Sequence, residues 1–143
     1  MADLFIPKPA ALGKTTSLLP EQERRSVASS GAEIARLLRS VRLSVAVESE
    51  AQAEIADALK RAGLPAVREV ILDAQNRIDL MVADIGIEVK VKGDRRAIYR
   101  QLRRYCEFPQ LAELVLVTGR AMSLPAEING RAIHLVSMGR AWL

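Results

Sequence analysis

A chain of 143 residues, half of them apolar, has the length of one domain and the apolar content to bury a core. Lys and Arg outnumber Asp and Glu by 21 to 17, and the net charge of +4 favours an anionic partner. One cysteine excludes an internal disulfide, one histidine leaves almost nothing for zinc sites or for Ser-His-Asp and Cys-His catalysis, and no apolar run reaches the roughly 18 residues of a membrane span. Any catalysis has to come from carboxylates, lysines and a hard metal ion. The single cysteine and the lack of a secretory leader pattern lead to the expectation of a cytoplasmic protein with no membrane partner.

Residues 1–20 hold Pro7, Pro9 and Pro20 without sustained periodicity and read as a flexible N-terminal arm, with 21–143 as a single domain. Gly13-Lys14-Thr15 looks like the end of a phosphate-binding loop, but Lys8 stands where that loop needs glycine and no strand precedes it. Leu19–Arg39 has a helical pattern, with a break at Ser29-Ser30-Gly31 and an apolar stripe of Ile34, Leu37, Leu38 and Val41. Val41–Val47 suits a helix extension or a short strand. Glu48–Ala62 is a helix ended by Gly63 and Pro65. Gln52, Ile55 and Leu59 share one face with Glu48 at its N-terminal end, whereas Glu50, Glu54, Asp57 and Arg61 form a solvated face. A carboxylate on the core-facing line needs a reason; the dipole at a helix start is the bland one.

Ala66–Asp73 reads as a strand. Arg77–Ala83 and Ile85–Lys92 then form a hairpin, with Asp84 and Gly86 supplying turn chemistry. Period-two alternation puts Ile78, Leu80 and Val82 on one face of the first strand and Asp79 on the other. In the second, Ile85, Ile87, Val89 and Val91 oppose a wet face of Glu88, Lys90 and Lys92. Asp79 falls across from or diagonal to Glu88. An exposed cross-strand ion pair needs no function and contributes about 0.2–1 kcal/mol. Two like charges brought together are different: Lys90 offsets only part of their repulsion, and a metal ion is the natural third party.

Arg95–Glu107 is a helix with Ile98, Leu102 and Tyr105 facing the core, Gln101 at the border, and Arg96, Arg100 and Arg103 facing out. These arginines are either a solvated face or phosphate contacts. Leu114–Thr118 reads as a strand covered on both faces, Ala132–Val136 as the last strand, and Trp142-Leu143 as a C-terminus packed on the body. His134 and Cys106 read as packed structural residues. The sum is an α/β chain with a central mixed sheet of about five strands flanked by helices.

The pattern resembles the PD-(D/E)XK nuclease superfamily over roughly residues 45–120. It has a helical glutamate (Glu48), an aspartate in one strand (Asp79), E-x-K in the next (Glu88-Val89-Lys90), and a helix carrying Gln101-Leu102-Arg103-Arg104-Tyr105. Ile78 stands where the family name has proline, a position that many members vary. The resemblance implies a restriction-endonuclease-like αβββαβ core and metal-dependent hydrolysis of DNA, leaving 5′-phosphate and 3′-hydroxyl ends. It implies Mg²⁺, with Mn²⁺ as a substitute, on Asp79, Glu88 and the Val89 carbonyl, and Glu48 serving a second metal or its water. Lys90 would orient the attacking water or stabilise transition-state charge, and Gln101 would orient the lysine or the water. Lys92, Arg96, Arg100 and Arg103 are the expected DNA contacts, and a homodimer would let a duplex be cut on both strands. The alternatives are a non-catalytic DNA-binding or scaffold protein of the same fold and a module whose charged strand face meets a protein.

Overall fold

The computed structural model describes residues 30–139. The N-terminal arm, Gly13-Lys14-Thr15, the first part of the helix expected from Leu19, and Trp142-Leu143 lie outside the described residues. Helix α1 is Gly31–Arg39, capped by Ser30, whose hydroxyl accepts the Glu33 N–H at 3.2 Å, so the serine and glycine that break the longer pattern mark a helix start. Val41–Val47 forms neither helix nor strand. Helix α2 (Glu48–Arg61) leads into three strands: β1 (Val67–Ile71), β2 (Arg77–Val82) and β3 (Ile85–Lys90). Helix α3 (Arg95–Tyr105), capped by Asp94, then crosses to β4 (Glu113–Thr118), and the chain closes with β5 (Glu127–Ile128) and β6 (Arg131–Ser137). None of the described helices is long and apolar enough to cross a membrane.

The strands form one mixed sheet in the order β1-β2-β3-β4-β6-β5, so six strands replace the expected five or so. The additional strand is β5, whose two residues are too short to carry a periodicity; it pairs back on β6 across Asn129-Gly130. β1, β2 and β3 run antiparallel in turn. β3 and β4 are parallel, as the α3 crossover requires, and β6 lies parallel to β4.

Alternation along the strands sorts the apolar residues into two layers. On one face Leu80, Val82, Ile85, Ile87, Val89, Val115 and Val117 pack against Ile34 and Leu38 of α1 and Ile55 and Leu59 of α2. On the other, Met81, Leu114 and Leu116 pack under Ile98, Leu102 and Tyr105 of α3. Two expectations fail here. Ile78 belongs to the α3 layer rather than to the layer of Leu80 and Val82, because the β2 alternation breaks at Asp79. Gly86 is not a turn residue: the hairpin turns at Ala83–Asp84, and Gly86 lies within β3, where an added Cβ would stand 2.7 Å from Leu111 Cδ2 and against Ile78. A glycine there lets α3-side residues close over the strand.

Candidate active site

The β2–β3 ladder starts at the hairpin and pairs Val82 with Ile85 and Leu80 with Ile87, then stops. One pair further on, the Val89 N–H would meet the backbone of Ile78. It donates instead to Asp79 Oδ2 at 2.8 Å. Two residues on, the Val91 N–H donates to Glu48 Oε1 at 3.0 Å. Carboxylates from β2 and from the start of α2 thus take over the donors of β3 where its strand partner leaves. This is the physical reason for a glutamate on the core-facing line of α2. Glu48→Ala leaves the Val91 N–H orphaned and is expected to cost about 1–3 kcal/mol, whereas Glu48→Gln keeps an acceptor; the difference in melting temperature between the two variants checks it.

The divergence of β2 from β3 opens room for the Glu88 side chain on the α3 side of the sheet. The expected wet face of β3 is therefore dry at its centre: Glu88 is only 2% exposed, because α3 lies over it. Its Oε1 accepts from the Asp79 N–H at 3.3 Å, and its Oε2 lies 3.4 Å from Lys90 Nζ. The Tyr105 hydroxyl approaches Oε1 at 3.4 Å while sitting 2.8 Å from the Arg77 carbonyl oxygen. Lys90 is half-buried, and Lys92 is exposed beyond the end of β3.

These contacts make the pair electrostatically tense. Burial first, and the Asp79 charge second, push the Glu88 carboxyl up to about 8, with Lys90 pulling the other way. Burial also raises Asp79; the Val89 N–H and Lys90 oppose that rise, while Glu48 and Glu69 add to it. Tyr105 is raised as well, by burial and then by the charge of Glu88.

Not every expected residue arrives where it was placed. Gln101 donates to the Tyr105 hydroxyl at 2.8 Å, so its contact is with the tyrosine that approaches Glu88 and not with Lys90. Arg96, Arg100 and Arg103 are exposed, but they do not line the hollow beside the carboxylates. Arg96 and Arg100 border a depression with Tyr99 and Met122, and Arg103 faces Glu127 and Asn129. The arginines that share a hollow with Gln101 and Tyr105 are Arg77 and Arg104. A 3.6-residue helix puts Arg104 on the Gln101 flank and Arg103 on the opposite one, a phase that was readable, although which flank meets β2 was not.

Glu69 is a further residue missed by the sequence reading. It lies opposite Asp79 across β1–β2, holds a left-handed φ of 56° and pairs with Arg77 at 2.9 Å. His134 and Cys106 behave as expected: His134 Nε2 lies 2.8 Å from Glu113 Oε1, and Cys106 is buried.

Among the described residues no group of three or more His, Cys, Asp or Glu side chains is arranged as a cation cage. The donor chemistry of the Asp79–Glu88 pair nonetheless suits a hard divalent cation: two carboxylates, the charge of Asp79 close enough to raise Glu88, with a partly exposed ammonium 3.4 Å from Glu88 Oε2. A strand residue projects its N–H and C=O to the same edge, so the Val89 carbonyl shares the Asp79 side. Comparison of the chain with protein-family models, with curated proteins and with solved structures gives no match.

Proposed function

We propose that this protein is a metal-dependent nuclease that hydrolyses DNA phosphodiester bonds, with Asp79, Glu88 and Lys90 as its catalytic residues. The observation that carries the reading is Glu88: a carboxylate 2% exposed, beside a second carboxylate, balanced by one lysine. Asp79 has a structural contact in the Val89 N–H, but a purely structural pair has no use for a second, buried acid at Glu88, whose space an apolar residue would fill at lower cost. The run α2-β1-β2-β3-α3-β4 supports it too, being the αβββαβ order that the PD-(D/E)XK resemblance implies.

Asp79 and Glu88, with the Val89 carbonyl, would hold Mg²⁺ or Mn²⁺. Such an ion supplies positive charge against the phosphoryl oxygens and Lewis acidity toward water. The chain's own residues prepare the rest. The Val89 N–H fixes one oxygen of Asp79, leaving the other for a ligand. Burial keeps Glu88 poorly solvated, which strengthens every charge interaction at its oxygens. Lys90 Nζ, beside Glu88 Oε2, can orient a water or meet charge developing on the phosphate. Gln101 and Tyr105 position Glu88 from the α3 side.

The test is cleavage of labelled single-stranded, duplex, flap and four-way-junction DNA with Mg²⁺, Mn²⁺ or EDTA. Metal-dependent products carrying 5′-phosphates are the expected result. Intact DNA under every condition, with no rise in melting temperature on adding metal, would sink the proposal.

A further inference from the structure

Beside the carboxylates, on the flank of α3 that carries Gln101 and Arg104, lies a hollow of about 500 Å³. Tyr105 lines it and has its hydroxyl 3.4 Å from Glu88 Oε1, so one side chain stands between the hollow and the candidate catalytic groups, none of which lines it. Arg77 and Arg104 also line it. Arg77 spends one nitrogen on Glu69, and Arg104 Nε only reaches Asn76 Oδ1 at 3.5 Å; a guanidinium has five N–H groups, so both keep donors for an anion. One carboxylate, Asp73, is exposed in the same lining; its Oδ1 is taken up within the loop, accepting the Gln75 and Asn76 N–H groups at 2.8 and 2.7 Å, and the two guanidinium groups outnumber its charge. At the rim stands Ile71, an edge-strand side chain 72% exposed that no core contact explains.

We infer that this hollow binds one unpaired nucleotide of the strand being cut, next to the scissile phosphate. Arg77 and Arg104 hold the phosphate of that nucleotide, and its base lies against Ile71. Ile71 and Arg77 stand side by side as paired residues of β1 and β2, and Arg104 comes from α3, so an apolar side chain and two basic groups share the hollow and match the two halves of a nucleotide. A base inside a duplex has both faces covered by its stacked neighbours, so contact with the ledge selects a base outside the stack. The inference rests on the nuclease reading for the identity of its ligand.

The experiment is fluorescence anisotropy of an end-labelled single-stranded oligodeoxynucleotide and of its duplex, in EDTA across a salt series. The proteins are wild type, Arg77→Gln/Arg104→Gln, Ile71→Ala, and Arg96→Gln/Arg103→Gln from the opposite flank. The site-flank double variant is expected to bind the single strand at least about tenfold more weakly, with the salt slope reduced by about one to two. Ile71→Ala should weaken single-strand binding about three- to tenfold with an unchanged slope and leave duplex binding alone. Should the double variant fail to fold, Arg104→Gln, an exposed change, is expected to lose about threefold by itself.

Wild-type affinity in the site-flank variant, no single-strand binding by wild type, or an equal effect of Ile71→Ala on duplex would overturn the inference. Its failure is distinct from that of the nuclease reading. Arginine-dependent binding without cleavage under any metal ends the latter alone, and cleavage indifferent to Arg77 and Arg104 ends the former alone.

Discussion

If the protein is the proposed nuclease, Lys90→Ala is expected to reduce cleavage by about 10²–10⁴-fold or more, while the metal-free variant is expected to fold and bind DNA like wild type. The expectation follows from where Lys90 sits. Its side chain is a quarter exposed at the mouth of the site, and its ion pair at 3.4 Å is with a carboxyl that burial already drives toward its neutral form. Removing the ammonium drives Glu88 further toward that form, so the folded state has a way to relieve the lost pairing. Transition-state charge has none. Asp79 needs a finer variant. Its Oδ2 takes the Val89 N–H, so Asp79→Ala removes a structural acceptor as well as a ligand. Asp79→Asn keeps an oxygen for that N–H and loses only the charge; it should be as inactive as Lys90→Ala and melt near the wild-type temperature. Measured rates and melting curves for the two variants decide the matter, and an Asp79→Asn protein that cuts like wild type would remove the acid from the chemistry.

The second large effect is on stability, and its sign runs opposite to ordinary acid denaturation. Glu88 titrates near 8 in the folded metal-free protein, against 4.5 as a free side chain. Between those values the folded state holds a proton that the unfolded chain has released, so the unfolded state binds fewer protons and stability falls as pH rises. Asp79, raised in the same direction, adds to the trend from lower pH. The metal-free protein should therefore melt at a lower temperature at pH 8 than at pH 5.5, a loss on the order of a few kcal/mol. Glu88→Gln cannot ionise; it should flatten that profile and raise the melting temperature at pH 8, while being inactive on DNA. Mg²⁺ should stabilise wild type more at pH 8 than at pH 5.5, because it meets both carboxylates in their charged form. Thermal melts over pH in EDTA and in Mg²⁺ test all three statements. A metal-free protein equally stable at both pH values would mean that Glu88 is not held in a dry site.

Local periodicity by itself determined much of this protein. Alternation in residues 77–91 yields a hairpin with Leu80, Val82, Ile85, Ile87 and Val89 facing one layer, and the helical phase puts Glu48 in line with Ile55 and Leu59. Those two periods suffice to bring Asp79 and Glu88 together and to mark Glu48 as a charge needing a partner. What the periods cannot carry is which surface another element covers. Glu88 reads as a solvated strand residue until α3 lies over it, and that burial turns an ordinary E-x-K run into a strained acid pair. The break at Asp79, which sends Ile78 to the opposite layer, is a side chain replacing a backbone acceptor, a competition decided by the arrangement of β2, β3 and α2 in space. The arginines of α3 show the same limit. Their angular positions around the helix follow from 3.6 residues per turn, but only the docking of α3 on the sheet decides that Arg104, and not Arg96 or Arg103, shares a hollow with Arg77 and Tyr105.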